Sequence, residues 1–165
     1  MRTLLLICFL ICALTASSAT AAPLDEVRTP ADVAGAFSPS SRLRVINLWA
    51  TWCVPCVAEM PELKAVDQAF KPTEVELIGV SFDDVLPGDR GEIKTKVRKF
   101  LTKRSIEYRN LYYVGKMKWM NEYFRFGGEL PLTIVLDSKG KEIARHQGAI
   151  DRKQFITQLR TLLRK

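Results

Sequence analysis

Two cysteines separated by two residues are the side chains of this chain best suited to chemistry. Cys53 and Cys56 enclose Val54-Pro55 and follow directly after a buried-type apolar run. A helical pattern of apolar residues begins at Val57, which predicts a helix whose first turn contains both cysteines. Unpaired backbone N–H groups and the positive end of the helix dipole favour a thiolate there. The thiolate is the form that attacks disulfides, so the spacing indicates thiol–disulfide exchange.

The order of the two cysteines along this helix predicts different roles for them. Cys53 is expected at the exposed tip of the helix, where it can attack a disulfide in a partner. Cys56 is expected within reach of the resulting mixed disulfide, where its attack releases the partner. Pro55 fixes the backbone between them at a position whose N–H would have no helical acceptor.

The first 21 residues have the pattern of a secretory signal peptide. Arg2 precedes the apolar run 4–14, and Ala19-Thr20-Ala21 is a small-residue cleavage site. The run is shorter than the ~20 residues that span a membrane, which disfavours the alternative of a retained anchor. We expect cleavage before Ala22 and a soluble periplasmic domain of residues 22–165.

Two other interpretations of the cysteine pair are less favoured. A purely structural disulfide would close so short a loop that it would stabilise the fold little. A zinc site requires about four ligands, but removal of residues 1–21 takes Cys8 and Cys12 away and leaves one histidine, His146, which we interpret as a strand residue. The sequence therefore predicts redox chemistry without a metal or other cofactor.

The net charge of +7 says little about partners, because it is spread along the chain. The densest basic stretch, 94–104, is interrupted at helical spacing by Val97, Phe100 and Leu101, which favours a solvated helix with one buried stripe. Contact with an anionic membrane surface is a less favoured alternative. No nucleic-acid-binding motif is present, so nucleic acid is not an expected partner.

The elements around the cysteines alternate between strands and helices within a length that suits one domain. Thr29-Pro30 begins a short first helix, and Asp151 with Gln154 begins the last one. The predicted strands are 43–49, 75–82, 108–114, 132–136 and 142–147. A turn at 138–140 makes the last two strands a hairpin. This order predicts a three-layer α/β fold with a central mixed β-sheet.

The segment from Val45 to Cys56, VINLWATWCVPC, resembles the thioredoxin superfamily, and in particular the exported TlpA/ResA-type thiol–disulfide oxidoreductases. The similarity includes Glu59-Met60-Pro61, in which Pro61 matches a proline that kinks the helix. It continues through 78–83 and 130–137 to the final helix. The resemblance implies a thioredoxin fold with the TlpA/ResA-type helix–strand insertion at about 84–115.

The resemblance also implies roles for residues outside the cysteine pair. Pro131 would follow a cis peptide bond and face the cysteines, and the backbone of Leu130 would pair with that of a partner. Trp52 is expected to touch a partner at the rim of the site. Trp52, Pro55, Leu130 and Pro131 are therefore the expected substrate-binding residues. Leu132 departs from the small polar residue usual in this family.

The predicted proton-managing residue is Glu59. Thioredoxin has a buried acid where this chain has Asn47, and the TlpA/ResA group commonly has an asparagine there and an acid at the position of Glu59. Glu59 lies one helical turn beyond Cys56, within plausible reach of the thiols. The alternative is an ordinary surface glutamate.

The resemblance implies a monomeric reductant of disulfides in client proteins, such as apocytochrome c or copper-site assembly factors of an oxidase. A membrane protein of the DsbD/CcdA kind would resupply electrons. A disulfide-forming oxidant is the alternative. A copper chaperone using Cys53, Cys56 and His146 is disfavoured, because related copper carriers space their cysteines three residues apart. A peroxidase is disfavoured because the cysteine is paired.

Overall fold

The computed structural model describes residues 23–165, and the predicted signal peptide lies outside them. Strands and helices alternate along this part of the chain. The elements are β1 Leu24–Val27, α1 Pro30–Gly35, β2 Leu43–Trp49, α2 Val54–Gln68, β3 Val75–Ser81, a 3₁₀ turn Asp83–Val85, α3 Arg90–Lys103, β4 Arg109–Tyr113, α4 Met117–Phe124, β5 Leu132–Asp137, β6 Glu142–Gln147 and α5 Arg152–Leu163. None of these helices is long and apolar enough to cross a membrane.

The six strands form one mixed sheet in the order β1-β4-β3-β2-β5-β6. Strands β1, β4, β3 and β2 run parallel, and β5 and β6 run antiparallel to their neighbours. Parallel neighbours need crossover connections, and the helices supply them. The carboxyl ends of β2 and β3 and the amino end of β5 therefore lie together along one edge of the sheet, the edge that is formed by strand ends.

Helices cover both faces of the sheet, which confirms the predicted three layers. On one face α2, α3 and α5 pack in a cluster that contains Leu63, Val97 and Leu159. On the other face α1 and α4 pack in a second cluster around Val33 and Met120. The central strands read as continuous apolar runs because both of their faces are buried.

Strand β1 was not among the predicted elements. It is a short edge strand that pairs with β4, and its burial pattern places two exposed acids, Asp25 and Glu26, between buried Leu24 and Val27. This pattern lacks the period of two by which a half-buried strand is recognised. Sequence periodicity therefore could not identify it.

The basic stretch forms helix α3, as predicted, with its apolar stripe turned inward. Its buried residues are Ile93, Val97 and Leu101, whereas Phe100 is only partly buried. Strand β4 follows α3 and lies between β1 and β3. Helix α3 and strand β4 thus occupy the stretch 84–115, where the insertion is predicted.

Candidate redox site

The cysteine pair lies at the junction of β2 and α2, and the two cysteines form a disulfide. Cys53 is the N-cap residue of α2, and its sulfur accepts a hydrogen bond from the backbone N–H of Cys56 at 3.2 Å. Pro55 occupies the first turn, where its missing N–H leaves no acceptor unsatisfied. The predicted placement of both cysteines at a helix N-terminus is confirmed.

The two cysteines differ in their access to solvent. Cys53 retains 6% of its surface exposed, whereas Cys56 retains 0%. Both cysteines are thus buried within the cluster between α2 and the sheet, so the exposed position expected for Cys53 is wrong; Cys53 is the less buried of the two because it caps the end of the helix. This difference supports the predicted order of attack.

The peptide bond between Leu130 and Pro131 is cis, as the resemblance implies. Strand β5 begins at the next residue, Leu132, which pairs with Leu48 near the end of β2. Pro131 therefore lies at the same edge of the sheet as the cysteines. Within residues 23–165, the backbone N–H and C=O of Leu130 have no hydrogen-bond partner, whereas the C=O of Pro131 accepts one from the N–H of Gly148 at 2.9 Å.

Glu59 is buried, so the interpretation as a surface glutamate is wrong. One carboxylate oxygen accepts a hydrogen bond from the side-chain amide of Asn47 at 2.9 Å, and the other accepts one from the backbone N–H of Ile150 at 3.0 Å. Burial raises the pKa of Glu59 above its ordinary value, and these two hydrogen bonds oppose that rise in part. Residues three apart share a helix face, so this carboxyl group lies on the same face of α2 as Cys56.

A second buried acid, Asp83, was missed by the sequence analysis. Its carboxylate accepts hydrogen bonds from the backbone N–H of Thr51 at 3.1 Å, from the Thr51 hydroxyl and from the Ser81 hydroxyl at 2.7 Å. It thereby ties the end of β3 to the loop that leads into Cys53. An acid placed directly after a buried strand of an α/β sheet was the available signal, since functional residues gather at that edge.

Two surface residues adjoin the cysteines: Trp52 precedes Cys53, and Pro55 precedes Cys56. Both are exposed, and Trp52 is the only large aromatic residue adjacent in sequence to either cysteine. Their positions are compatible with contact to a partner.

His146 lies on β6, where its Nε2 atom is 2.7 Å from the side-chain oxygen of Gln158. No group of three or more histidine, cysteine or acidic side chains in residues 23–165 is arranged to hold a metal ion. Cys53, Cys56 and His146 are accordingly not gathered into such a group in the described domain.

The sequence matches the AhpC/TSA family over residues 40–163. It is 29% identical over 96 residues to thiol-disulfide oxidoreductase ResA of Geobacillus thermodenitrificans, covering 58% of this chain and 49% of the relative. It is 26% identical over 138 residues to thiol:disulfide interchange protein HelX of Rhodobacter capsulatus, covering 84% of this chain and 70% of the relative. The chain thus spans about half the length of the ResA relative.

Two solved structures resemble the fold. A thioredoxin-related protein of Neisseria meningitidis serogroup B superimposes with a TM-score of 0.62 at 27% identity, covering 76% of this chain and 87% of the other. StoA of Bacillus subtilis superimposes with a TM-score of 0.57 at 20% identity, covering 71% and 81%. Together with the match over residues 40–163, these similarities show that the chain belongs to the AhpC/TSA family and has a thioredoxin-like fold.

Proposed function

We propose that this protein is an extracytoplasmic thiol–disulfide oxidoreductase that reduces disulfides in client proteins. The observation that carries the proposal is the bonded Cys53–Cys56 pair at the start of α2, in which Cys53 is the less buried of the two cysteines. A short cystine loop of this kind contributes little to stability, so a chemical role accounts for it better than a structural one. The names of the ResA and HelX relatives agree with this chemistry.

The reaction begins from the dithiol form of the protein. The Cys53 thiolate attacks one client sulfur, a mixed disulfide forms, and the other client sulfur leaves as a thiolate. Cys56 then loses its proton and attacks the sulfur of Cys53, which restores the Cys53–Cys56 disulfide and releases the second client thiol. Two electrons and two protons pass from the protein to the client.

Glu59 is the proposed acceptor for the proton of Cys56. Burial raises the pKa of Glu59, so this pKa lies closer to the pKa of a thiol than that of an exposed glutamate does. Asn47 cannot perform this task, because an amide does not titrate in this range. Asn47 instead holds the carboxyl group in place through its hydrogen bond.

The client is proposed to bind across Trp52, Pro55, Leu130 and Pro131. The unpaired backbone groups of Leu130 can form hydrogen bonds with an extended client segment, in the manner of strand addition. Strand β5 begins directly after Pro131 and pairs with the end of β2, so a client segment bound at Leu130 would lie at the same edge of the sheet as the cysteines.

The proposed direction of electron flow is supported by the residues between the cysteines. Val54 and Pro55 supply neither a cation nor a side-chain hydrogen-bond donor, so the dithiol form gains no special stabilisation.

A reductant in an oxidising compartment needs a fresh supply of electrons, for which a membrane donor of the DsbD/CcdA kind is proposed. Apocytochrome c and copper-site assembly factors remain the proposed client classes. We propose that the protein acts on them in the periplasm as a monomer, after its residues 1–21 have been cleaved off.

The test is stoichiometric reduction of a disulfide-bonded peptide by the protein of residues 22–165 in its dithiol form, in which Cys53 and Cys56 are the only cysteines. One peptide dithiol should appear for each protein disulfide formed, and the double variant Cys53→Ser/Cys56→Ser should form none. Identification of clients then uses Cys56→Ser in the periplasm, where adducts through Cys53 should accumulate and be released by dithiothreitol. Absence of peptide reduction by the parent would contradict the proposed function.

A further inference from the structure

The segment that precedes strand β5 has few backbone hydrogen bonds. Residues 125–131 connect α4 to β5 in an irregular conformation. Within residues 23–165, the backbone groups of 127–130 form one hydrogen bond, which the C=O of Glu129 accepts from the side chain of Gln147 at 3.1 Å. A segment with so few backbone hydrogen bonds opens easily, so its conformation depends on the contacts that neighbouring residues supply.

The side chain of Gln147 contacts this segment at two points. Its Nε2 atom lies 3.1 Å from the carbonyl oxygen of Glu129 and 3.1 Å from the carbonyl oxygen of Pro131. A side-chain amide has two N–H donors, and each of them is available for one of these carbonyl groups. The reversed amide would place its oxygen against two carbonyl oxygens, so the two acceptors determine its orientation. Gln147 therefore bridges the carbonyl groups on either side of Leu130.

The backbone of Gln147 is itself well fixed. Gln147 is the last residue of β6 and pairs with Leu132, the first residue of β5. The chain then turns at Gly148, whose φ of 85° is readily adopted by glycine. The N–H of Gly148 donates a hydrogen bond to the C=O of Pro131 at 2.9 Å. The side chain of Gln147 thus reaches from a paired strand to the unpaired segment beside it.

The bridge determines the direction of the N–H of Leu130. The peptide unit between Glu129 and Leu130 is trans, and in a planar trans peptide the N–H points away from the C=O. Since Gln147 holds the C=O of Glu129, the N–H of Leu130 is directed away from β6. This N–H has no hydrogen-bond partner in the part of the chain that the structure describes. An extended segment that adds to a sheet edge requires such an unpaired group in a fixed direction.

We propose that Gln147 is a positioning residue that directs the N–H of Leu130 towards an extended client segment. This inference rests on the proposed function, in which the client pairs with the backbone of Leu130, and it names the side chain that prepares this pairing. Gln147 acts on the client through Leu130. Its side chain is exposed, so its replacement removes no packing from the core.

The experiment compares two disulfide substrates of the dithiol protein of residues 22–165. One consists of two identical extended peptides joined by a disulfide, and the other is bis(2-hydroxyethyl) disulfide, which has no backbone amide to pair with Leu130. The second-order rate constant of reduction is measured for each, and the ratio of peptide to small disulfide is taken. Because both rate constants depend on the same cysteines, the ratio removes any common change in the reactivity of Cys53.

Replacement of Gln147 by methionine keeps the length of the side chain and removes its N–H donors. The ratio should fall about tenfold, as expected if the arrangement that pairs with a client is populated in about one tenth of the variant molecules. The rate with bis(2-hydroxyethyl) disulfide should not change. Gln147→Glu places a carboxylate against the same two carbonyl oxygens and should lower the ratio at least as far.

The matched control is Gln158→Met, which removes an amide that contacts His146 on β6 and not the segment before β5. This control should keep the parent ratio. A parent ratio in both Gln147 variants, an equal fall in Gln158→Met, or equal losses with both substrates would overturn the positioning role and leave the proposed function intact. Failure of the parent to reduce the peptide would overturn the proposed function as well.

Discussion

The side-chain amide of Asn47 donates one hydrogen bond to Glu59 at 2.9 Å and another to the hydroxyl of Thr133 at 3.0 Å. All three residues are buried, and they come from β2, α2 and β5. Both amide hydrogens of Asn47 are thereby used, which fixes the orientation of the side chain. The carboxyl group of Glu59 is the one titratable group among these three residues, and it is the proposed proton acceptor of the site.

Replacement of Glu59 by glutamine should lower the apparent pKa of the Cys53 thiol in the reduced protein. An ionised carboxylate close to the thiols disfavours a second negative charge and couples the titrations. The measurement is the rate of alkylation as a function of pH. The matched control is Glu62→Gln on the same helix, where the exposed carboxylate pairs with Arg152 at 3.4 Å. If the alkylation rate depends on pH in the same way in Glu59→Gln, Glu62→Gln and the parent, Glu59 takes no part in the proton transfer.

The same substitution should change the pH dependence of stability in the oxidised protein, where no thiol titrates. The folded pKa of Glu59 is raised above the ordinary value of 4.5, so its contribution to stability is present below pH 4.5 and is lost as the pH rises through the folded value. Urea unfolding across this range should show a decline in the parent that Glu59→Gln lacks. Parallel curves for the two proteins would contradict the raised pKa.

The cysteine variants should stall at different points of the exchange. Cys53→Ser should show no reaction with a disulfide peptide, because buried Cys56 is inaccessible to it. Cys56→Ser should react once and remain as a mixed disulfide, because the resolving thiol is missing. Mass spectrometry of the intact protein distinguishes the two. Accumulation of adducts on Cys53→Ser but not on Cys56→Ser would reverse the assignment.

The reduction potential of the Cys53–Cys56 pair should lie closer to about −270 mV, typical of thioredoxin, than to the about −120 mV of a strong oxidant. Val54 and Pro55 offer the Cys53 thiolate no stabilising charge, and the carboxylate of Glu59 acts against it. Equilibration with dithiothreitol or glutathione buffers, followed by thiol alkylation, measures the value. A result near the oxidant end would invert the direction of electron flow.

Asp83→Ala should lower the free energy of unfolding by at least about 2 kcal/mol, because the N–H and hydroxyl of Thr51 and the hydroxyl of Ser81 lose their buried acceptor. The control is Asp25→Ala, which removes an ion pair between the exposed side chains of Asp25 and Arg109 and should cost less than about 1 kcal/mol. Urea denaturation compares the two. Equal effects would mean that Asp83 does not anchor the loop before Cys53.

The parts of the site that depend on local sequence could be predicted, and the parts that depend on contacts between distant segments could not. The placement of Cys53 and Cys56 follows from a strand, a short turn and a helix in direct succession. The burial of Glu59 was left open, although its spacing from Cys56 and Leu63 placed it on the inner face of α2. The role of Asp83 depends on Thr51, 32 residues away, and becomes visible only when β2 and β3 pair.

Leu130, the residue before the cis proline, packs against both hydrophobic clusters. The sheet otherwise separates these clusters. Leu130 therefore contacts both of them at the edge of the sheet where the client is proposed to bind. A client bound at Leu130 would therefore rest on a side chain that contacts the hydrophobic clusters of both faces of the sheet, rather than on the packing of one face alone.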